Sequence, residues 1–196
     1  YLKQVRQRCD VVGALLILDE IQPGFGRTGK LFAFEHYNCI PDILVIGKGM
    51  ASGLPVGAFV ASLEMMASLK DNPKLGHITT FGGNPVIASA CLATLKEITG
   101  SNLMQEALKK EKVFRKLLHH PHIKEIRGRG LMLALLFDSK EIVDHLILTS
   151  AKKGLILFWL LFEPKAVRIS PPLTISLAEI EEGCATILAV LTEFEQ

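Results

Sequence analysis

The sequence predicts an α/β protein built from two successive units, and three observations carry that reading. Short apolar runs, each closed by Gly, Pro or an acidic residue, recur through residues 14–62; two stretches of helical periodicity follow; the remainder mixes strand-like runs with helices. Apolar residues make up 49% of the 196 positions and charged residues 21%. That is a globular composition with more apolar surface than a chain of this size readily hides, so burial against a further part of the same chain or a second subunit is expected.

Taken in order, Leu2, Val5 and Cys9 recur at i, i+3 and i+7, so the chain opens in a helix that ends across residues 10–13. Residues 14–18 form a continuous apolar run closed by Asp19 and Glu20. Such runs belong to strands covered on both faces, as in parallel sheets. Residues 24–29 are glycine-rich, and an aromatic patch follows at Phe32, Phe34 and Tyr37. Pro41 and Asp42 open a second apolar run, 43–46, which ends at Gly47 and Lys48; residues 55–62 form a third. Asn84-Pro85 starts a strong helix, since proline suits the first helical position; Ile87, Cys91, Leu95 and Ile98 are its apolar stripe and Gly100 stops it. A second helix covers about 103–118. Beyond it, 123–127, 131–137 and 166–169 read as strands, and 142–152 and 178–194 as helices. The boundary between the units falls near Gly100, giving 1–100 and 101–196.

Several function classes are disfavoured. Net charge is +2, and the one basic cluster (Lys109, Lys110, Lys112, Arg115, Lys116) alternates with Leu108, Leu117 and Leu118 at helical spacing. It reads as a solvated helix face, not a nucleic-acid footprint. Cys9, Cys39, Cys91 and Cys184 form no CxxC pair and none stands at zinc-ligand spacing from a histidine, so no metal site is expected. Scattered single cysteines suggest reduced, buried thiols and a cytoplasmic protein. The longest apolar run, 154–162, is too short to span a bilayer, and the opening stretch is polar and amphipathic, unlike a secretory leader.

One nucleotide-binding pattern needs a test. Residues 15–20 resemble a Walker B strand, and Gly24 to Lys30 fits GxxxxGK. A phosphate loop, however, needs Ser or Thr after its lysine to ligate magnesium, and position 31 is Leu31. It also needs a strand immediately before it and a helix after it, and it precedes Walker B in sequence. The order here is reversed, so the pattern is rejected.

The chemistry-bearing residues lie at the strand ends. Asp19 closes one apolar run and Lys48 another, where ligands gather in open α/β sheets. Gly47 and Gly49 flank Lys48 and allow a tight turn and the close approach of a planar ligand. On residue chemistry alone Asp19 also fits a cap or turn former, and Lys48 a solvated surface residue.

Longer strings decide between these readings. They are Leu18-Asp19-Glu20-Ile21-Gln22-Pro23-Gly24-Phe25-Gly26-Arg27-Thr28-Gly29; Pro41-Asp42-Ile43 through Gly47-Lys48-Gly49 to Gly53-Leu54-Pro55-Val56-Gly57-Ala58; and His77-Ile78-Thr79-Thr80-Phe81-Gly82-Gly83-Asn84-Pro85. Arg127-Gly128-Arg129-Gly130-Leu131-Met132 and Arg168-Ile169-Ser170-Pro171-Pro172-Leu173 follow in order. Together they cover almost the whole chain, and as a set the sequence resembles the class III (subgroup II) aminotransferases, the family of ornithine, acetylornithine and 4-aminobutyrate transaminases.

The resemblance implies the type I fold of pyridoxal-phosphate (PLP) dependent transferases. Residues 1–100 would be the later part of a large, cofactor-binding domain with a mostly parallel sheet, and 101–196 a C-terminal α/β small domain. It implies PLP as cofactor, held by Lys48 as a Schiff base. Asp19 would pair with the pyridine nitrogen, Gln22 with the ring's phenolic oxygen, and Thr80 with the phosphate of the neighbouring subunit, in a homodimer with shared active sites. Lys48 would also be the catalytic proton carrier, and Arg168 would meet a substrate carboxylate. The implied reaction moves an amino group from an ω-amino donor, of the ornithine or acetylornithine type, to 2-oxoglutarate by a ping-pong mechanism. Other donors (4-aminobutyrate, β-alanine, a diamine) stay open, as do decarboxylation or racemisation on the same scaffold, and a role for the isolated chain as a non-catalytic folding or dimerisation module. Gln22 could equally be a turn residue, Thr80 a helix cap and Arg168 a salt-bridge former.

Family members are about twice this length, and the other half would carry the phosphate loop, a ring-stacking aromatic and the residues that choose substrate. Pro23 departs from the small hydroxyl residue common at its position, which puts the loop that places Gln22 in question. Ala51-Ser52 depart from a more glycine-rich pattern.

Overall fold

The computed structural model describes residues 1–70, 73–74 and 76–194. The chain divides into two compact units, Tyr1–Gly26 with Lys30–Asn102, and Arg27–Gly29 with Leu103–Gln196.

The first unit opens with α1 (Leu2–Val12), which ends where Gly13 turns into the left-handed region at φ 68°. A three-stranded sheet follows in the order β1 (Ile17–Asp19), β2 (Ile43–Gly47), β3 (Gly57–Ala61). β1 and β2 are parallel and β2 and β3 antiparallel. α2 (Leu63–Ala67) is capped by Ser62, and α3 (Pro85–Gly100) by Asn84, whose Oδ1 accepts from the amides of Val86 and Ile87.

β1 is shorter and later than the apolar run that announced it. The backbone of Leu16 is taken up by another segment: its amide donates to Asp42 Oδ2 at 2.6 Å, while the Asp42 amide donates to the Leu16 carbonyl at 2.9 Å. Arg6 pairs with the same Asp42 oxygen at 2.6 Å, tying α1 to the entry of β2. The Leu16 amide and the Arg6 guanidinium together hold the Asp42 carboxyl below the usual carboxylate range. Burial on both faces does not hold either. Ile17 is 56% exposed and Val60 54%.

The second unit carries a four-stranded antiparallel sheet in the order β4 (Glu125–Arg129), β5 (Met132–Leu136), β7 (Glu163–Ile169), β6 (Phe158–Leu160). Helices α4 (Leu103–Leu117), α5 (Lys140–Lys152) and α6 (Leu177–Glu193) bury Leu131, Leu135, Val143, Leu146, Val167, Ile180, Ile187 and Leu191 against it. Ser176 and Glu179 open α6 with a reciprocal capping box. Sequence periodicity gives no sign of β6, which lies inside the 154–162 run and is irregular between Trp159 and Leu160. β4 is two residues later than predicted. Gly128 takes φ 111° within it, and a Cβ there would lie 2.0 Å from the Met132 carbonyl oxygen.

Arg27 belongs to this unit. Its Nη1 donates to the carbonyls of Leu131 and Pro171, and its own carbonyl accepts from the Leu131 amide at 2.9 Å. Burial lowers the guanidinium's pKa. The basic face of α4 is only partly the solvated surface expected of it. Lys110 is 7% exposed and donates to the Leu173 carbonyl at 2.6 Å, and Arg115 donates to the carbonyls of Ile126 and Gly128. All four cysteines are free thiols; Cys39 and Cys184 are buried, whereas Cys9 and Cys91 are only half-buried. Among the described residues no helix is long and apolar enough to cross a membrane.

Candidate active site

The parallel pairing of β1 and β2 sets the geometry of the first unit's site. Their register aligns Asp19 with Val45, and the Glu20 amide extends the ladder by donating to the Val45 carbonyl at 2.8 Å. Asp19 and Lys48 therefore leave the sheet at the same edge, the carboxyl ends of neighbouring strands.

Asp19 Oδ1 accepts from the Ile21 amide at 2.9 Å, which fixes the carboxylate at the head of the loop. Its Oδ2 has no partner among the described residues. Gln22 follows in the turn, exposed, with its side-chain amide unbonded among the described residues. Beneath them lies a residue the sequence reading treated only as the end of a run. Glu20 is 3% exposed, and its carboxylate accepts from the amides of Ala33 at 2.9 Å and Phe34 at 2.8 Å. Burial raises its pKa, against the pull of those two amides. Glu20 so clamps both ends of the loop that carries Gln22. The two donors lie 13 and 14 residues ahead, beyond any local pattern. Gly24 completes the clamp: its amide donates to the Glu20 carbonyl at 3.0 Å, and a Cβ there would lie 2.6 Å from that oxygen. The buried Phe25 stands edge-on to Phe32, with centroids 5.6 Å apart.

Lys48 opens a tight 3-10 turn, Lys48–Ala51, directly after β2. Its φ is 43°, in the left-handed region. The side chain is exposed, and its amine has no hydrogen-bond or ion-pair partner among the described residues. Gly47 lies against β3, where a Cβ would sit 3.2 Å from the Val56 carbonyl oxygen. The segment after Gly29 contains only one short 3-10 turn, Ala33–His36, and not the helix a phosphate loop requires.

Thr80 lies in the exposed turn before α3 and makes no hydrogen bond among the described residues. Asn84 is the cap of that helix, so capping is not the role of Thr80. His77 is engaged locally, with Nδ1 3.1 Å from the Leu69 carbonyl oxygen.

Arg168 belongs to the second unit. It sits on β7 between Ala134 of β5 and Phe158 of β6. Its guanidinium carbon lies 5.1 Å from the centre of the Phe158 ring, and its Nε is buried without a partner. No carboxylate pairs with it among the described residues, so the salt-bridge reading falls. Arg168 lines a cavity of ≈ 150 Å³ with Phe114, Leu157, Phe158, Ile180 and Ile187.

The family profile Aminotransferase class-III matches residues 1–191. The chain is 40% identical over 198 residues to the acetylornithine aminotransferase of Caldanaerobacter subterraneus subsp. tengcongensis, covering 98% of this chain and 49% of that one. Among solved structures it is similar to the ornithine aminotransferase of Toxoplasma gondii ME49, with TM-score 0.89, 32% identity, and 100% of this chain on 47% of that one. It is also similar to the N-acetylornithine aminotransferase of Stenotrophomonas maltophilia K279a, with TM-score 0.86, 30% identity, and 100% of this chain on 51% of that one. The chain thus spans about half the length of these relatives.

Proposed function

This chain belongs to the class III aminotransferases, a PLP-dependent family, and from that premise we propose that Asp19, Gln22 and Lys48 are the cofactor-binding edge of a transaminase site in a longer enzyme. One observation carries the reading. Three polar groups of complementary chemistry (a carboxylate oxygen, an amide and a primary amine) stand at the carboxyl edge of β1 and β2 with no protein partner among the described residues. Polar groups placed together and left unbonded suit a ligand that bonds them. The set fits pyridoxal phosphate: an acid for the ring nitrogen, a donor for the ring oxygen and an amine for the carbonyl carbon.

When bound, pyridoxal phosphate supplies an electron sink that stabilises charge on the carbon losing its proton. The protein does the rest. Asp19 Oδ2 keeps a proton on the ring nitrogen, while the Ile21 amide holds Oδ1 and stops the carboxylate from turning away. The Gln22 amide donates to the ring oxygen. Lys48 Nζ would hold the cofactor through its carbonyl carbon and give way to the donor amine. It then takes the proton from the amine-bearing carbon of the donor. Thr80 donates to the phosphate bound by the other subunit of a homodimer. Arg168, without a carboxylate partner among the described residues, would receive one from the substrate.

In this reading, residues 1–100 are the later part of the large domain and 101–196 the small domain of a cytoplasmic enzyme. The donor is an ω-amino compound of the ornithine or acetylornithine type, the acceptor is 2-oxoglutarate, and the two half-reactions alternate in ping-pong order. The isolated chain is inactive, because the phosphate loop and the ring-stacking aromatic of this family fall outside it.

The test is to add pyridoxal phosphate, reduce with borohydride and map the labelled peptide. Label on Lys48 is expected, and label on another lysine overturns the assignment. In the full-length enzyme, turnover with ornithine, acetylornithine, 4-aminobutyrate, β-alanine and a diamine identifies the donor. Turnover with none of them removes the transaminase reading.

A further inference from the structure

We infer that Thr94 is a positioning residue for Lys48, acting through the hydroxyl of Ser52. The inference rests on Lys48 being the cofactor lysine.

Lys48 opens one tight turn and Ser52 closes it. Both take left-handed φ, 43° and 45°, and neither is glycine. A residue with a Cβ is disfavoured in that region, so the turn does not hold its shape through local preference. Its own backbone bond is weak as well, since the Ser52 amide is 3.5 Å from the Gly49 carbonyl oxygen. The strong contact comes from α3. Thr94 is only 7% exposed, and its Oγ1 lies 2.9 Å from Ser52 Oγ and 2.8 Å from the Ala90 carbonyl oxygen. A hydroxyl has one proton to give. With the Thr94 proton on the Ala90 carbonyl, Ser52, itself exposed, donates to the buried Thr94 Oγ1, and both hydroxyls have a protein partner. Ala51, 2% exposed, seats the same turn in the unit's interior.

A glycine at position 52 would adopt the left-handed conformation freely and would need no such partner. Serine there makes the turn depend on α3. Because Lys48 is the first residue of that turn, the direction in which its amine leaves β2 is fixed from a helix more than forty positions away.

The test is a double-mutant cycle in the full chain, read first without cofactor by hydrogen exchange at the amides of Ser52 and Leu54. Thr94→Val, isosteric but without the hydroxyl, is expected to speed that exchange roughly tenfold, the loss of about one hydrogen bond. Thr94→Ser keeps the wild-type rate. In a Ser52→Gly background, Thr94→Val adds nothing further. The second readout is the rate at which pyridoxal phosphate and borohydride label Lys48. It is expected to fall by a similar factor in Thr94→Val and to recover in Thr94→Ser. Equal behaviour of the valine and serine variants overturns the inference, and so does a valine effect of full size in the Ser52→Gly background. Label on another lysine overturns the cofactor reading and the role of Thr94 with it. Unchanged exchange with label on Lys48 overturns the clamp alone.

Discussion

Replacing Glu20 by alanine should release the loop that carries Gln22. The Glu20 carboxylate is 3% exposed and accepts from two backbone amides, Ala33 at 2.9 Å and Phe34 at 2.8 Å. Hydrogen bonds to a charged group contribute ~1.5–3 kcal/mol each, so losing both costs about 3–6 kcal/mol before compensation. Part is returned, because the variant no longer desolvates a carboxylate and water can enter the space left behind. The net expectation at pH 7 is a loss of about 2–4 kcal/mol from the first unit. Hydrogen exchange at the Ala33 and Phe34 amides reads the effect locally, and urea unfolding followed by circular dichroism reads it globally. The sign of the pH dependence follows from burial. The folded pKa of Glu20 lies above the ordinary 4.5, so its contribution is fully present below that value and declines as pH rises through the folded one. The cost of the alanine variant is therefore largest in acid and shrinks towards neutrality. A loss below about 0.5 kcal/mol, with Ala33 and Phe34 as protected as before, would refute the clamp.

Three further outcomes are expected. Asp19→Asn keeps the shape but cannot hold a proton on a ring nitrogen; affinity for pyridoxal phosphate should fall by about tenfold or more in equilibrium dialysis, and unchanged affinity would remove Asp19 from the site. Gly128→Ala places a Cβ 2.0 Å from the Met132 carbonyl oxygen at φ 111°, so the second unit should lose about 3 kcal/mol or more, visible as a lower Tm by Trp159 fluorescence. Burial pushes the Cys184 thiol up to about 11 from 9.0, so at pH 8 it should react with a disulfide reagent only at the rate of unfolding, and fast reaction would contradict its burial. Its contribution to stability is full below 9.0 and is lost as pH rises through about 11.

What could be read in the sequence followed the range of the interactions involved. The helices α3 to α6 announce themselves because their stripe repeats every three or four residues, and Asn84-Pro85 marks a start that the fold keeps. Asp19 and Lys48 were legible as strand-end residues because apolar runs stop at them. Gln22 and Thr80 have no such signal, and only the longer strings single them out. Glu20, Thr94 and Lys110 were not legible at all. Each acts on a partner 13 to 63 positions away, and nothing local distinguishes them from a run's end, a helix threonine or a surface lysine. β6 was hidden for the opposite reason: the 154–162 run is apolar throughout, so it carries no period from which to tell strand from loop. The start of β1 was misplaced because the backbone of Leu16 is taken by Asp42 from another segment.

The short excursion of Arg27–Gly29 into the second unit has a consequence for how the chain is made. Arg27 leaves the ribosome 104 residues before Leu131 and 144 before Pro171, the carbonyls that take up its guanidinium. The second unit is therefore discontinuous in sequence, and no single cut separates it intact from the first. During synthesis these three residues must wait, solvated, while everything up to position 171 is added. A fragment starting at Leu103 would lack the donor that secures Leu131 and Pro171, so folding of the second unit reports on a part of the chain translated long before it.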